Sequence, residues 1–131
     1  MKKFHEAKIN SQPEVVVWGS GTPQREFLYV DDLAEAIVFF LEKINAKDIY
    51  QKGITQINIG TGNDLTITEL ALMIAEVTGF KGKIVYDSSK PDGTPRKLMD
   101  VSRINNLGWK AKTDLKTGIQ KTYKWYLEKF S

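Results

Sequence analysis

The sequence predicts a mixed α/β domain with a small mixed sheet of three to four short strands and about four to five helices. Short apolar runs typical of strands alternate along the chain with longer segments whose apolar residues recur at helical spacing. The 131 residues are 41% hydrophobic and 11% aromatic, a composition that suits one domain with a core of its own. We therefore expect residues 1–131 to form a single domain.

The first half of the chain contains two predicted helices and two predicted extended segments. In order, these segments and the loop after them are a helix over 2–9, a strand over 14–18, an extended piece over 26–30, a helix from Asp31 or Asp32 to about Ile44, and a polar loop over 45–54. The strand contains three consecutive valines, and the glycine-rich residues 19–23 after it predict a tight turn. Because Asp31 and Asp32 precede an apolar helix, we expect a helix cap rather than acid or metal chemistry.

The second half continues the alternation. In order, the predicted segments are a strand over 56–59, a helix over 66–78, a strand over 83–87, a loop over 88–97, a short helix between Ser102 and Gly108, and a final helix from Thr113 to Lys129. Thr66 and Glu69 have the spacing of a capping box, and Gly79 is a typical helix stop. Thr113 is expected to cap the last helix. Its predicted buried side consists of Leu115, Ile119, Tyr123, Tyr126, Leu127 and Phe130.

Composition excludes several classes of site. The chain has no cysteine, which excludes disulfides, thiolate zinc sites and a cysteine nucleophile. It has one histidine, His5, so a histidine cluster cannot bind a metal, and we expect a surface or packing role for this residue. The longest apolar run, residues 36–41, is too short to cross a bilayer, and residues 1–10 do not resemble a secretory signal. We therefore expect a cytoplasmic protein.

Positive charge is concentrated toward the end of the chain. Residues 81–131 carry 12 basic and five acidic side chains, a net charge of +7, whereas residues 1–80 have a net charge of −4. Such a region can bind anions, but a solvated lysine-rich face is the equally good alternative.

The loop over residues 90–97 combines restricted geometry with mixed charge. Two prolines and a glycine limit its conformations, and it carries three cations and one carboxylate. Asp92 is a candidate to accept hydrogen bonds from ribose or sugar hydroxyls, and Arg96 and Lys97 are candidates to contact phosphates. We favour a ligand-binding loop over a rigid connection that is merely charged.

Arg25 and Trp18 flank the glycine-rich turn on either side. The planar guanidinium of Arg25 can bind a phosphate or carboxylate, although a salt bridge with Glu26 or Asp32 is the stronger expectation from sequence alone. Trp18 ends a strand, where an indole can stack on a base or sugar or can belong to the core. We expect Trp109 and Trp125 to be packing residues.

Two further patterns resemble cofactor motifs. Gly60-Thr61-Gly62 lies between a predicted strand and helix, as in dinucleotide-binding loops, but position 65 is leucine where the third glycine is required. We therefore expect a structural turn. Tyr86 precedes Lys90 by four residues, but the spacing falls on a strand and a loop, whereas a tyrosine–lysine pair needs a helix to share one face.

The stretch from Val15 to Pro23, followed by Arg25-Glu26-Phe27-Leu28-Tyr29-Val30-Asp31-Asp32, resembles the C-terminal portion of extended short-chain dehydrogenase/reductases, the NAD-dependent epimerase/dehydratase family. The segment from Lys90 to Lys97, followed by Leu98-Met99-Asp100-Val101, is narrower and is similar to the GDP-L-fucose synthases within that family. Residues 4–7 and 58–62 fit the same enzymes. The resemblance covers essentially the whole chain.

The resemblance implies the substrate-binding domain of an NADP-dependent 3,5-epimerase/4-reductase that acts on GDP-4-keto-6-deoxy-D-mannose. Trp18, Arg25 and Asp92 match positions that bind the GDP-sugar, with Arg25 on the diphosphate and Asp92 near the nucleoside. Lys97 is adjacent to them, and Lys3 falls where the family can have a substrate-contacting arginine. The family's Rossmann domain, which carries the NADP loop and the catalytic residues, has no counterpart here.

Because the Rossmann domain has no counterpart here, the resemblance also implies which cofactor and partners this chain should and should not bind. NADP belongs to the full-length enzyme, a homodimer, and this chain alone should bind no cofactor, carry no catalytic residue and show no reductase activity. Its partners should be the GDP-sugar and the Rossmann domain, with no nucleic acid and no membrane. Three alternatives remain open: the substrate domain of a related enzyme that uses another nucleotide, a basic nucleic-acid binder built on residues 81–131, and a non-catalytic interaction domain.

Overall fold

Helices and strands alternate along the chain in the computed structural model, which describes residues 1–50, 53 and 55–130. In order, the elements are α1 (Lys2–Ile9), β1 (Glu14–Trp18), β2 (Gln24–Glu26), α2 (Val30–Lys43), α3 (Ala46–Tyr50), β3 (Asp64–Thr66), α4 (Ile67–Thr78), β4 (Lys83–Asp87), β5 (Arg96–Lys97), α5 (Ser102–Asn106) and α6 (Leu115–Phe130). The predicted mixed α/β class is confirmed.

The strands form two small sheets rather than the single one expected. β1 and β4 pair in parallel, with Trp18 opposite Asp87 at their carboxyl ends. The second sheet has the order β3-β2-β5 and is mixed, since β2 is antiparallel to β3 and parallel to β5. Arg25 therefore lies between Leu65 on one side and Lys97 on the other.

Two apolar clusters hold the elements together. The first joins α1, α4 and the β1–β4 sheet, and its rings Phe4 and Phe80 meet edge to face with centroids 5.7 Å apart. The second joins α2 and α5 through Ala36 and Ile104, both fully buried, with Trp109 packed beside them. Packing of Trp109 is thus confirmed, and burial of such rings is the main source of stability in domains of this size.

The boundaries of α1, β1, α4 and β4 agree with the sequence predictions. The capping box is present, because Thr66 Oγ1 accepts from the Glu69 amide at 3.1 Å and Glu69 Oε2 accepts from the Thr66 amide at 2.7 Å. Gly79 ends α4 in the left-handed region, with φ of 73°. These local signals therefore suffice to define the element that packs on α1 and α6.

The predicted strand over residues 56–59 is wrong, and the extended piece predicted over 26–30 overlaps a strand only at Glu26, although Tyr29 is extended. Residues 55–59 join no strand ladder within the described part of the chain, although Ile57 and Ile59 pack on the second cluster. The strands lie instead at Gln24–Glu26 and Asp64–Thr66, and α2 already begins at Val30. Within the predicted loop over 45–54, residues 46–50 form α3, and residues 51, 52 and 54 lie outside the described residues.

Both predicted aspartate and threonine caps are also wrong, for a shared reason. The N-cap of α2 is Tyr29, without a side-chain hydrogen bond, because the Asp32 carboxylate accepts hydrogen bonds from residue Thr113 instead. Asp114 caps α6, since its Oδ1 accepts from the Thr117 amide at 3.0 Å. A tertiary contact thus engages both side chains that were predicted to act locally.

The predicted buried side of α6 is only partly buried. Ile119 and Tyr123 are buried, but Leu127 and Phe130 are exposed at the end of the helix. Trp125, expected to pack, is also largely exposed and meets Phe130 with ring centroids 5.8 Å apart.

Candidate functional site

The candidate site borders two loops that leave the carboxyl ends of the parallel strands. Residues 19–23 follow β1 and residues 88–97 follow β4, and β1 and β4 end side by side. In open α/β sheets, ligands bind at this edge because the connecting loops leave a crevice there. Trp18, Arg25 and the residues of the long loop all belong to these segments or adjoin them.

Trp18 lies on the surface rather than in the core. Its side chain is 67% exposed at the end of β1, which supports the stacking interpretation over the packing one. Lys3 Nζ lies 5.0 Å and Lys90 Nζ 6.0 Å from the centre of the indole ring. Lys3 Nζ also donates to the carbonyl of Val16 at 3.2 Å, which fixes it over the ring. Two cations therefore lie over a solvent-exposed indole ring.

Asp92 ties the long loop to the glycine-rich turn. Its Oδ1 accepts from the Ser20 amide at 2.6 Å and its Oδ2 accepts from Ser20 Oγ at 2.7 Å. These hydrogen bonds from the Ser20 amide and hydroxyl stabilise the carboxylate and lower the pKa of Asp92. Asp92 remains exposed to solvent, so its unused lone pairs face water.

Arg25 and Lys97 face each other across the β2–β5 pair. Both border a shallow cavity of about 240 Å³, which Glu26, Leu98 and Met99 also line. Arg25 Nη1 donates to the carbonyl of Gln24 at 2.7 Å, and among the described residues no carboxylate lies within 4 Å of the guanidinium. The alternative of a salt bridge between Arg25 and Glu26 or Asp32 is therefore wrong.

Arg96, a candidate phosphate contact, is already engaged. Its guanidinium donates to both carboxylate oxygens of Asp64, at 2.5 and 3.1 Å. These hydrogen bonds from Arg96 lower the pKa of Asp64, and the same pair raises the pKa of Arg96. Bidentate pairs of this kind are specific in geometry, so Arg96 joins β5 to β3 rather than facing a phosphate.

Glu26, which the sequence suggested only as a partner of Arg25, organises the glycine turn. Its Oε1 accepts from the amides of Thr61 and Gly62 at 2.5 and 2.7 Å, and its Oε2 accepts from the Met99 amide at 3.1 Å. A Cβ at Gly60 would lie 2.4 Å from Glu26 Oε1, so this glycine permits the approach. The only sequence signal for this contact is the glycine itself.

The hydrogen bonds from the Thr61 and Gly62 amides to Glu26 show whether the Gly60–Gly62 turn can bind a dinucleotide. A dinucleotide loop needs free backbone amides to approach a pyrophosphate. Here the amides of Thr61 and Gly62 donate to a carboxylate, and a strand follows the turn instead of a helix. The turn does not fit NADP, and the structural interpretation is favoured.

Part of the positive charge in residues 81–131 is compensated. Lys112 pairs with Glu35, and Lys116 Nζ lies 2.5 Å from a carboxylate oxygen of Glu76. Lys121 Nζ lies 5.1 Å from the centre of the Tyr29 ring. The lysines of this region therefore serve partly to join α6 and its preceding loop to α2 and α4.

His5 is a packing residue, as expected. It is buried, its Nδ1 lies 3.0 Å from the Tyr123 hydroxyl oxygen, and its ring contacts Tyr126 edge to face. Among the described residues there is no group of three or more acidic, histidine or cysteine side chains that could bind a metal ion. Nor does any helix in residues 1–50, 53 and 55–130 combine the length and hydrophobicity that a membrane crossing requires.

The structure thus brings the five sequence-predicted residues to the edges of two adjoining loops. Lys3 and Trp18 lie where Lys90 begins the loop, and Asp92 is bound at Ser20. A Cβ at Gly93 would lie 3.7 Å from Arg25 Nη2, and Lys97 pairs with Arg25 at the end of the loop. An aromatic ring, and cations such as Arg25 and Lys97 that form no salt bridge among the described residues, suit an anionic ligand with a ring.

Comparison with known proteins confirms the family resemblance. Residues 1–60 match the model of the NAD dependent epimerase/dehydratase family. The chain is 54% identical over 128 residues to a probable GDP-L-fucose synthase 1 of Oryza sativa subsp. japonica and 52% identical over 132 residues to the GDP-L-fucose synthase of Escherichia coli (strain K12). These matches cover 98% of this chain but 37% and 40% of those proteins.

The fold comparison agrees. A GDP-L-fucose synthetase from Naegleria fowleri bound to NADP superposes with a TM-score of 0.87 at 26% identity. That match covers 98% of this chain and 39% of the Naegleria protein. The chain therefore spans about two fifths of the length of the relatives that it matches.

Proposed function

We propose that this chain is the GDP-sugar-binding part of an NADP-dependent epimerase/reductase that converts GDP-4-keto-6-deoxy-D-mannose to GDP-L-fucose. The observation that carries the proposal is the placement of Trp18, Arg25, Asp92 and Lys97 around one loop at the carboxyl edge of the parallel strands. The relatives named GDP-L-fucose synthase, 52–56% identical over 98% of the chain, support the choice of nucleotide.

Arg25 is proposed to bind the diphosphate. Its guanidinium is half-buried and free of carboxylates among the described residues, and Lys97 supplies a second cation across the strand pair. A diphosphate between two cations relieves their mutual repulsion while accepting hydrogen bonds from both. The Glu26 carboxylate lines the same cavity but accepts hydrogen bonds from the amides of Thr61 and Gly62 and makes no salt bridge with Arg25.

Trp18 is proposed to stack on the nucleoside, with Lys3 and Lys90 beside it. A base or ribose that takes the place of the ammonium groups over the exposed indole buries apolar area, and the displaced Lys3 and Lys90 side chains can then reach phosphates. Asp92 is proposed to accept a hydroxyl of the ligand, since hydrogen bonds from Ser20 leave part of its acceptor capacity unused.

Hydride transfer and epimerisation are proposed to come from the rest of a longer protein. The glycine turn of this chain does not fit NADP, and Tyr86 and Lys90 lie on a strand and a loop rather than on one helix. The role left to this chain is to bind and orient the GDP-sugar. That the chain alone binds no NADP and that the full-length enzyme is a cytoplasmic homodimer stay predictions.

The surface that would meet that remaining part is the outer side of α2. One side of α2 packs on the second cluster through Ala36, whereas its other side exposes an apolar stripe. The stripe consists of Val30, Leu33, Ile37, Val38 and Leu41. Apolar stripes of this size are typical of faces that another domain covers.

A mixing experiment tests whether the outer side of α2 binds the remaining part of the longer protein. The part of the Escherichia coli GDP-L-fucose synthase outside the matched region should co-elute with this chain in gel filtration, and Leu41→Asp should abolish the complex. Because Leu41 is 81% exposed, Leu41→Asp should leave the melting temperature of the isolated chain unchanged. Leu72→Asp, on the exposed side of α4, is the matched control and should leave the complex intact. Co-elution of Leu41→Asp would overturn the assignment of this face.

The binding function is tested by calorimetric titration with GDP, with UDP and NADPH as competitors. We expect GDP to bind with the highest affinity, and Arg25→Ala to weaken it about 10- to 100-fold, as expected for loss of hydrogen bonds to a charged group. Arg103→Ala is the matched control, because Arg103 also donates to a backbone carbonyl but lies on α5. Equal affinity for GDP and UDP would favour a related enzyme with another nucleotide.

Catalysis by the isolated chain is tested separately. Purified chain supplied with the GDP-keto-sugar and NADPH should oxidise no NADPH. Steady oxidation that scales with the concentration of the chain would contradict the division of labour proposed here.

A further inference from the structure

We infer that Ser20 is a positioning residue of the proposed GDP-sugar site, because it clamps Asp92 and thereby fixes the first half of the loop over residues 88–97. The inference rests on the proposed function, but its geometry is independent of the ligand. In this proposal Ser20 does not contact the nucleotide. It affects GDP affinity by holding Asp92 in place.

The clamp uses both oxygens of the carboxylate. The Ser20 amide donates to Asp92 Oδ1 at 2.6 Å, and Ser20 Oγ donates to Asp92 Oδ2 at 2.7 Å. Ser20 Oγ is held in turn by Thr22, whose Oγ1 lies 2.7 Å away and whose amide donates to it at 3.2 Å. A hydroxyl fixed from both sides has little rotational freedom, so it holds the carboxylate in one orientation.

Gly19 makes room for this clamp. Its φ is +83°, and a Cβ at this position would lie 2.3 Å from Asp92 Oδ1. A side chain at residue 19 would therefore displace the carboxylate and would also be strained in the backbone. The sequence Gly19-Ser20 thus supplies both the space and the donors that Asp92 requires.

The two halves of the loop are attached differently. The second half is held by the Gln24 amide, which donates to the Pro95 carbonyl at 2.8 Å, by the β2–β5 pairing, and by the Arg96–Asp64 pair. In the part of the chain that the structure describes, the two bonds from Ser20 are the only hydrogen bonds made by residues 91–94. Loss of the clamp should therefore release residues 91–94 and leave Arg96 and its neighbours in place.

The released half is the part that connects the two cationic ends of the site. Lys90 lies beside Trp18, and Gly93 lies beside the Arg25 guanidinium. When these residues move, a ligand must order them again before it binds, which lowers its affinity. Ser20→Ala removes the hydroxyl bond to Asp92 Oδ2 and keeps the amide bond to Oδ1, so it loosens the clamp without abolishing it. Loss of one hydrogen bond to a charged group predicts GDP binding weaker by about 5- to 20-fold, without unfolding of the chain.

The test compares Ser20→Ala with Ser20→Thr, which keeps a hydroxyl, and with Ser88→Ala, a loop serine without a hydrogen bond among the described residues. GDP affinity is measured by calorimetry, and the backbone order parameters of residues 90–98 are measured by NMR relaxation. Ser20→Ala should weaken binding and lower the order parameters at residues 92–94 but not at 96–98. Ser20→Thr and Ser88→Ala should behave like the wild type.

A double-mutant cycle separates positioning from a merely structural role. Because Ser20 acts through Asp92, Ser20→Ala should add no further loss of GDP affinity in an Asp92→Ala background. Additive losses, or unchanged order parameters at residues 92–94 in Ser20→Ala, would overturn the inference. Failure of the proposed function is recognised differently, since the wild-type chain itself would then show no preference for GDP.

Discussion

Replacement of Glu26 probes the contact that holds three separate segments in register beside the candidate site. The carboxylate accepts from the amides of Thr61, Gly62 and Met99 at 2.5, 2.7 and 3.1 Å, and Thr61 Oγ1 lies 3.2 Å away. Glu26→Ala removes every one of these acceptors. It also leaves two half-buried backbone amides without a partner in the protein.

The magnitude follows from the two short bonds. A hydrogen bond to a charged group contributes about 1.5–3 kcal/mol when it is sheltered from water. The Met99 amide and the Thr61 hydroxyl are farther away, and Met99 is exposed, so they add little. Allowing for partial hydration of the freed amides, we expect Glu26→Ala to lower the free energy of unfolding by about 2–4 kcal/mol. Glu26→Gln keeps one oxygen acceptor, so we expect a loss of about 1 kcal/mol.

Urea unfolding followed by circular dichroism measures both losses. Glu42→Ala is the matched control, because it removes the same charge from an exposed position on α2 and should change the unfolding free energy by less than about 0.5 kcal/mol. A Glu26→Ala variant as stable as the wild type would refute the reasoning, since the amides would then lose nothing by losing the carboxylate.

The remaining predictions concern two other carboxylates. Burial raises the pKa of Asp32, but hydrogen bonds from Thr113 and Lys112 outweigh it and hold the pKa below its ordinary value. The stabilisation from Asp32 should therefore be complete above pH of about 4 and be lost as pH falls through the lowered pKa. Asp32→Asn should cost about 2–4 kcal/mol at pH 7, and its difference from the wild type should shrink progressively as pH falls below about 4, by urea unfolding. Thr66→Ala should cost about 1 kcal/mol by breaking the capping box with Glu69, and Thr66→Ser should restore it; an unchanged midpoint for Thr66→Ala would contradict the cap.

The elements defined by local signals are the ones that the sequence predicts correctly. β1 follows from its valines, and α4 follows from the capping box at Thr66 and the stop at Gly79. In each case the residues that define the element lie within a few positions of one another, and core packing does not override their local preference.

The wrong predictions fall where long-range contacts decide. Asp32 and Thr113 both have good capping chemistry, yet they bind each other across 81 positions of sequence. Residues 56–59 have strand composition, but without a neighbouring strand in the described chain they pack through Ile57 and Ile59 on the second cluster and make single hydrogen bonds to Asp100 and Arg103. Strand composition alone does not produce a ladder, because a ladder requires a partner.

In the candidate site, too, local features are predicted from the sequence, whereas long-range contacts are not. The rigid loop with Asp92 and Lys97, and the position of Arg25 after a glycine turn, mark the site from sequence. Which cations stay free is decided by tertiary partners: Arg96 is bound by Asp64, whereas Arg25 is left without a carboxylate among the described residues. Sequence spacing alone does not distinguish these two arginines.

The most direct test of the central claim is an NMR titration of the isotope-labelled chain with GDP. We predict that amide signals of residues 18–25 and 90–97 shift together and saturably, together with the indole signal of Trp18. UDP should produce smaller shifts at the same concentrations. Shifts confined to other surfaces, or no shifts at millimolar GDP, would contradict the claim that these two loops bind the nucleotide.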